Sequence, residues 1–262
     1  MRGRLQDFAF ECAQQFAFPL RHGACCCGTR RGTINSYKNL APWEGVPPEK
    51  WNDWHWQMQN RVTSAEELSK IIPLTPSERD GIGKCLSHFR MAVTPYYASL
   101  INPENPAGPI KRQAVPTVNE LRADPCEMAD PLREDDYSPT PGLVHRYPDR
   151  VLFMLTHKCS MYCRHCTRRR MVGCEDYSLN SEELENAFKY IENHREVHDV
   201  LLSGGDPLIL SDEWLEKIIK RLRSIKHVGV IRIGTRTPVV MPMRITGGLL
   251  SMLKKYHPIW LN

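Results

Sequence analysis

The residues with the clearest chemical potential lie at 159–170, where the sequence CSMYCRHCTRRR places three cysteines in C-x3-C-x2-C spacing. Cysteine thiolates bind zinc ions and iron–sulfur clusters. A structural zinc ion normally takes four protein ligands, commonly from two separated pairs, and no second C-x2-C pair follows this loop. A four-iron cluster held by three cysteines leaves one iron free to bind a substrate or cofactor. The spacing therefore favours an iron–sulfur cluster with an open iron.

A zinc site is the alternative, and it belongs to a different class of protein. Cys174 or His157 could supply a fourth ligand. The segment would then be a zinc-stapled binding module built on Cys159, Cys163, Cys166 and Cys174.

Composition narrows the class of protein. The 262 residues are 41% hydrophobic and 25% charged, which is typical of a soluble globular protein. The net charge of +5 is mild, so nucleic acid is not an expected partner. No apolar run approaches the roughly 20 residues that cross a membrane. Ten cysteines without a secretory signal predict a reducing compartment, the cytoplasm.

The cysteine loop follows a predicted buried strand, VLFMLT at 151–156. Further strands are predicted within 199–207, 228–235 and 259–261, with helical spacing between them. Strands that alternate with helices indicate a parallel sheet, and parallel barrels carry their chemistry at the carboxyl ends of the strands. The predicted fold class is therefore α/β, a partial (β/α) barrel with about its first four strands. The sequence is expected to be incomplete at its C-terminus.

The part of the chain before the barrel has two kinds of sequence pattern, one helical and one rich in proline. Helical spacing places Trp51, Trp54 and Met58 on one apolar face, with breaks in the helical pattern at Pro73 and Pro76. A proline-rich stretch then predicts an extended connection. The predicted regions are an irregular extension (1–33), a mainly helical region (34–101), the proline-rich connection (102–149) and the barrel core (150–262).

The cysteine loop and a glycine turn together resemble the radical S-adenosylmethionine superfamily. In that superfamily the same cysteine spacing binds a [4Fe-4S] cluster, and SGGDP at 203–207 is similar to its GGE-type turn. Taken alone, the two glycines need only a tight strand-to-helix turn. The resemblance implies these site residues: Cys159, Cys163 and Cys166 for the cluster, and His165, Ser203, Gly204, Gly205 and Asp206 for S-adenosylmethionine.

Longer blocks narrow the resemblance to the lysine 2,3-aminomutase family, from about Asn35 to Asn262. They include MAVTPYYASLINPENPAGPIKRQAVPT, GLVHRYPDRVLF, LLSGGDPL, RIGTRTPVVMPMRIT and HPIWLN. The resemblance implies an isomerase that moves the α-amino group of L-lysine to C3 and gives β-lysine. It also implies pyridoxal phosphate as a second cofactor and a 5′-deoxyadenosyl radical that removes a hydrogen from C3.

Arginines would bind acidic groups in such an enzyme, because a planar guanidinium grips a carboxylate or phosphate through two parallel hydrogen bonds. The resemblance implies that Arg168 binds the substrate carboxylate and that Arg146 and Arg150 bind pyridoxal phosphate. Arg169 and Arg170 are interpreted as a solvated basic face.

The resemblance leaves several points open. The family's pyridoxal-binding lysine and its acidic substrate-binding residues come later than position 262, so no catalytic residue is assigned and the chain alone is expected to be inactive. RRRMVG replaces the family's usual RRRFAG. Glutamate 2,3-aminomutases and β-lysylation enzymes share most blocks, although the long N-terminal region argues against the latter. Expected partners are an amino-acid substrate, an electron donor such as flavodoxin or ferredoxin, and a second copy in a homo-oligomer.

Overall fold

The computed structural model describes residues 40–122, 124–174 and 176–262, and the prediction for residues 1–33 lies outside this part of the chain. Within it, five strands form one sheet in the order β1-β2-β3-β4-β5. β2 to β5 run parallel, as the sequence predicted, and β1 pairs antiparallel with β2. The strands are β1 (Leu143–Tyr147), β2 (Arg150–Thr156), β3 (Asp199–Gly204), β4 (Val230–Ile233) and β5 (Ile259–Leu261).

The helices of the described residues fall into two groups, those before the sheet and those between its parallel strands. The first group is α1 (Pro48–Trp51), α2 (Trp54–Gln59), α3 (Ala65–Ser69), α4 (Pro76–Leu86), α5 (Pro95–Ser99) and α6 (Pro109–Ala114). The second is α7 (Ser181–Asn193), α8 (Asp212–Ser224), α9 (Thr237–Val240) and α10 (Gly247–Lys254). Each of these helices is too short or too polar to cross a membrane.

Three helices of the second group, α7, α8 and α10, cover one face of the sheet. Alternate residues of β2, Val151, Phe153 and Leu155, are at most 1% exposed and point to this face. Phe188 of α7 meets them, with the Phe153 and Phe188 rings 5.7 Å apart in an edge-to-face contact. The apolar stripes of α8 and α10 complete this core with Leu215, Ile218, Ile219, Leu222, Leu249, Met252 and Leu253.

Side-chain caps fix where these helices begin. The Asn180 side chain accepts from the backbone N–H groups of Glu182 and Glu183, and Glu183 reaches back to the Asn180 N–H. Ser211 caps α8 by accepting from the Trp214 N–H at 3.3 Å. Because each cap follows directly after a loop, it sets the angle at which the helix returns over the sheet.

The N-terminal region is mainly helical, as predicted, but it is divided into shorter helices. Trp51 ends α1 and Asp53 caps α2, so the single helical face was wrong, although Trp51, Trp54 and Met58 do pack in one apolar cluster. α4 begins at Pro76 with Thr75 as its cap. Proline suits this position because the first helical N–H needs no partner within the helix.

Residues 102–149, predicted as an extended connection, also form α6 and β1. In β1, Leu143 pairs with Phe153 and Val144 with Leu152, after which the register shifts. The strand was missed because LVHRY is short and lacks regular polar alternation. The predicted fold class is confirmed: the chain is a mixed α/β fold with a mostly parallel sheet, the arrangement of a partial (β/α) barrel.

Candidate functional site

The cysteine loop begins at the carboxyl end of β2. Cys159, Cys163 and Cys166 line one small cavity, and Tyr162 and Val172 form part of its wall. Cys159 and Cys166 also pack against the buried side chains of Tyr162 and Val172. The structure therefore brings the three predicted thiols together on a partly apolar surface.

Arginines from several segments hold this loop in place. Arg61 Nη1 donates to the backbone oxygen of Cys159 at 2.8 Å. Arg164 Nη2, inside the loop, donates to Glu120 Oε2 at 2.6 Å in a largely buried ion pair. Arg169 reaches the same carboxylate at 3.4 Å while remaining half-exposed. The loop is therefore positioned by charged groups that lie far away in the sequence.

The electrostatic surroundings of the thiols favour a cationic partner. Burial raises the pKa of Cys159 well above its usual range, and the neighbouring Asp206 carboxylate and the other two thiols add to the rise. Burial also raises the pKa of Cys163, although Arg236 Nη1 donates to its Sγ at 2.8 Å and opposes the rise. Thiolates in such surroundings need positive charge nearby. The donor set therefore fits a group that brings iron to all three sulfur atoms.

The glycine turn after β3 lies directly against the start of the cysteine loop. The Gly205 N–H donates to the Thr156 oxygen at 2.5 Å, and the Asp206 N–H donates to the Lys158 oxygen at 2.8 Å. A Cβ on Gly205 would lie 2.1 Å from the Lys158 oxygen, and Gly204 has a φ of +112°. Both positions therefore require glycine. The prediction that the two loops open at the same end of the sheet is confirmed.

Asp206 joins the turn after β3 to the loop after β4. Its Oδ1 accepts from the Leu208 N–H at 3.0 Å and the Thr235 hydroxyl at 2.7 Å. Its Oδ2 accepts from the N–H groups of Arg236 at 2.9 Å and Thr237 at 3.0 Å. Burial raises the pKa of Asp206, while these donors oppose the rise. Because both oxygens are already bonded twice, Asp206 acts in this structure as a positioning residue, and direct contact with S-adenosylmethionine stays a prediction.

The other predicted S-adenosylmethionine residues lie at the same end of the sheet. Ser203 is 9% exposed near the end of β3. His165 is exposed on the cysteine loop. Their contacts with the cofactor stay predictions.

The zinc alternative gains no support from the geometry. Cys174 is exposed, and its Sγ donates to the Arg169 backbone oxygen at 3.3 Å. Across residues 40–122, 124–174 and 176–262, no three or more His, Cys, Asp or Glu side chains form a group that could hold a single metal ion. A four-iron cluster takes each thiolate at a different iron, so its ligands need not converge on one point.

Arg168 and Arg170 are both engaged by acidic side chains. Arg168 Nε and Nη2 donate to the Glu134 carboxylate at 3.0 and 2.7 Å. Arg170 lies 3.2 Å from Asp130 and 3.0 Å from Asp135, with only 20% of its side chain exposed. The interpretation of Arg170 as part of a solvated face was wrong, because the acidic segment 130–135 covers it.

Arg146 and Arg150 lie near the opposite end of β2 from the cysteine loop. Both guanidinium groups face the Tyr147 ring, at 5.9 and 5.8 Å from its centroid. Arg150 forms an exposed bidentate pair with Asp149, at 2.9 and 3.1 Å, and Arg146 Nη1 donates to the Leu132 oxygen at 3.0 Å. An exposed ion pair such as that of Arg150 is weak and easily exchanged, and the contact of Arg146 and Arg150 with pyridoxal phosphate stays a prediction.

Sequence reasoning missed the residues that position the site, namely Arg61, Glu120, Glu134, Arg164 and Arg236. A signal existed for Arg236, which follows the predicted strand at 228–235 at the end where parallel barrels carry their chemistry. The other four are recognisable only from their tertiary contacts, which are ion pairs for Glu120, Glu134 and Arg164 and a hydrogen bond to the Cys159 backbone oxygen for Arg61.

Comparison with known proteins agrees with this geometry. Residues 153–262 match the Radical SAM superfamily. The L-lysine 2,3-aminomutase of Acetoanaerobium sticklandii is 59% identical over 217 residues, which are 83% of this chain and 52% of that protein. The enzyme of the same name from Clostridium subterminale is 57% identical over the same shares. The glutamate 2,3-aminomutase of Clostridioides difficile is 45% identical over 82% of this chain and 50% of that protein.

The cysteine loop, the glycine turn and the matched residues define a radical S-adenosylmethionine domain. Within that superfamily the chain belongs to the lysine 2,3-aminomutase family, which confirms the resemblance seen in the sequence. Aminomutases are isomerases, and membership implies a [4Fe-4S] cluster, S-adenosylmethionine and pyridoxal phosphate as cofactors. The chain spans about half the length of the curated relatives it matches.

Proposed function

We propose that the chain carries the cluster and S-adenosylmethionine portion of a 2,3-aminomutase that converts L-lysine to β-lysine. The observation that carries this proposal is the group of three thiols on one loop, against a glycine turn, at the carboxyl end of parallel strands. When bound, the cluster and S-adenosylmethionine supply the 5′-deoxyadenosyl radical, and pyridoxal phosphate supports the migration of nitrogen from C2 to C3.

The protein's own residues supply positioning in this proposal. Cys159, Cys163 and Cys166 hold the cluster, and the turn at Gly204 and Gly205 binds the methionine end of S-adenosylmethionine. The two glycines let this turn approach the start of the cysteine loop, because a Cβ at Gly204 would lie 2.5 Å from the Thr156 oxygen and one at Gly205 2.1 Å from the Lys158 oxygen.

Arg168 is the proposed ligand of the substrate carboxylate. Its fork is oriented by the buried Glu134 carboxylate, which already shows the bidentate geometry that a substrate carboxylate would adopt. Substrate binding on this surface therefore requires Glu134 to share or give up its hydrogen bonds. Arg146 and Arg150 would bind the phosphate of pyridoxal phosphate, with Arg150 exchanging its exposed partner Asp149.

Lysine is the proposed substrate because the lysine enzymes reported above are more similar to this chain than the glutamate enzyme is, at 59% and 57% against 45% identity. The glutamate reaction is the alternative. Anaerobic assays with L-lysine and L-glutamate, on a loaded protein of the full length of its relatives, distinguish the two, and faster turnover of L-glutamate would reverse the assignment.

Anaerobic iron and sulfide analysis, followed by electron paramagnetic resonance with and without S-adenosylmethionine, tests the proposal. We expect about four irons per chain and a spectrum that changes when S-adenosylmethionine is added. Cys159→Ser, Cys163→Ser and Cys166→Ser should each lose iron, whereas the matched control Cys174→Ser should keep it. Bound zinc, or a cluster whose spectrum ignores S-adenosylmethionine, would contradict the proposal.

The remaining expectations are part of the same proposal. A flavodoxin or ferredoxin would deliver the electron in a cytoplasmic setting, and the chain would associate as a homo-oligomer. Both expectations follow from the family resemblance. Reduction kinetics with purified donors test the electron donor, and light scattering tests the homo-oligomer.

A further inference from the structure

Arg236 lies just after β4 and points its guanidinium at the cysteine loop. Its Nη1 donates to Cys163 Sγ at 2.8 Å, and its Nη2 donates to the Tyr97 hydroxyl at 3.2 Å and to Gln113 Oε1. The guanidinium carbon also lies 5.8 Å from the centroid of the Tyr97 ring. The functional roles assigned so far do not use this side chain.

The backbone of Arg236 is fixed as firmly as its side chain. Its N–H donates to Asp206 Oδ2 at 2.9 Å, and the same carboxylate accepts from Thr235 and Thr237 on either side. The guanidinium is thus held by α5 and α6, and the backbone of the same residue is held by the turn after β3. Because the Arg236 guanidinium is already held in place, its hydrogen bond to the Cys163 sulfur costs little further side-chain entropy.

The charge of Arg236 is directed at sulfur. Its side-chain partners are Cys163, Tyr97 and Gln113, none of which is a carboxylate. By contrast, Arg164 in the same loop is paired with Glu120, and Arg61 donates to a backbone oxygen of the loop. Arg236 is therefore placed to stabilise negative charge on a cluster ligand.

We infer that Arg236 is a positioning residue that raises the reduction potential of the cluster through its hydrogen bond to Cys163. This inference rests on the cluster proposed above. In the reduction, the oxidised [4Fe-4S]2+ cluster accepts one electron from a low-potential donor and becomes [4Fe-4S]1+, with no bond made or broken. The added negative charge spreads onto the sulfur ligands, and an N–H donor at one of them stabilises the reduced form.

Redox titration of the reconstituted chain, followed by its electron paramagnetic resonance signal with dithionite as reductant, tests the inference. Arg236→Met removes the N–H and the charge and should disfavour reduction by about tenfold, which is about 59 mV for a one-electron couple. Arg236→Gln keeps a neutral donor and should give a smaller shift, about threefold. The matched control Arg90→Met removes an arginine that lines the same cavity and pairs with the exposed Asp176, and it should change the equilibrium constant for reduction by less than about twofold.

The outcomes separate the two proposals. Arg236→Met with about four irons and the wild-type potential would overturn the role of Arg236, as would an equal shift of the potential in Arg90→Met. If Arg236→Met takes up too little iron for a titration, the reduction potential of Arg236→Gln is the test. A wild-type potential in Arg236→Gln would overturn the proposed role of Arg236. A wild-type chain that does not assemble a four-iron cluster would instead refute the proposed function, and iron analysis reveals this before any titration.

Discussion

Arg168 and Glu134 form a buried bidentate ion pair, with Arg168 Nη2 2.7 Å from Glu134 Oε1 and Nε 3.0 Å from each carboxylate oxygen. The Glu134 side chain is only 7% exposed. This pair anchors the acidic segment before β1 to the cysteine loop, so the proposed substrate ligand is also a structural contact.

Glu134→Gln should therefore have two opposite effects. The free energy of unfolding should fall by about 3 kcal/mol, because the change leaves the Arg168 charge without an anionic partner in a largely buried place. L-lysine should bind about threefold more tightly, because an amide competes less well for the guanidinium. Urea unfolding measures the loss of stability, and calorimetry with L-lysine on a loaded protein of the full length of its relatives measures the affinity.

Asp136→Asn is the matched control for that change. Asp136 pairs with Arg133 in the same segment, but both side chains are more than half exposed. We expect Asp136→Asn to lower the free energy of unfolding by less than about 1 kcal/mol and to leave the affinity for L-lysine unchanged. Weaker lysine binding in Glu134→Gln would contradict the competition between Glu134 and substrate.

Asp206→Asn should lower the free energy of unfolding by about 3 kcal/mol. The carboxylate accepts four hydrogen bonds, two at each oxygen, and an asparagine amide would turn its own donors toward two of these partners. Urea unfolding at pH 7 measures the loss. Asp176→Asn, which breaks the exposed pair with Arg90, should cost less than about 1 kcal/mol, and equal costs for the two variants would argue against the special role of Asp206.

Gly205→Ala should destabilise the chain by about 3 kcal/mol and reduce iron uptake, because the added Cβ would lie 2.1 Å from the Lys158 backbone oxygen. Gly229→Ala is the matched control, since a Cβ there meets nothing within 4 Å. It should change stability by less than about 1 kcal/mol. Unfolding curves and iron analysis of both variants check the prediction, which fails if the two behave alike.

Protonation of Glu78 should lower the free energy of unfolding in acid. The hydrogen bond from Lys111 Nζ, at 2.6 Å, and the bond from the Thr75 N–H hold the pKa of Glu78 below its ordinary value of 4.5. A carboxyl with a lowered pKa in the folded state stabilises the fold above pH 4.5 and loses this contribution as pH falls through the folded value. The stability difference between wild type and Glu78→Gln should therefore shrink from pH 7 to about pH 3.

The measurement is urea unfolding of the iron-free chain across that pH range. Lys111→Met should remove most of the same pH-dependent difference, because it removes the closest donor to Glu78. A wild-type to Glu78→Gln difference that is constant with pH would show that the Glu78 interaction does not depend on its charge.

The parallel strands and the cysteine loop were predictable because their signals are local. VLFMLT and DVLLSGGDP each report a buried strand and the turn that follows it, and the barrel rule places both turns at one end of the sheet. β1 was missed because its pairing with β2 depends on a hairpin that the prolines obscured. The partners of Arg168, Arg170 and Arg236 were missed because they are distant in the sequence. No residue spacing predicts which side chain an arginine will contact in the folded chain.

The contacts that hold the cysteine loop also set the order in which the site can be assembled during synthesis. Cys163 is bonded by Arg236, 73 residues later, and Cys159 by Arg61, 98 residues earlier. A nascent chain that has just released its cysteines from the ribosome therefore still lacks β4 and the guanidinium that follows it. We therefore expect the cysteine loop to reach its final arrangement only after that later segment has emerged from the ribosome.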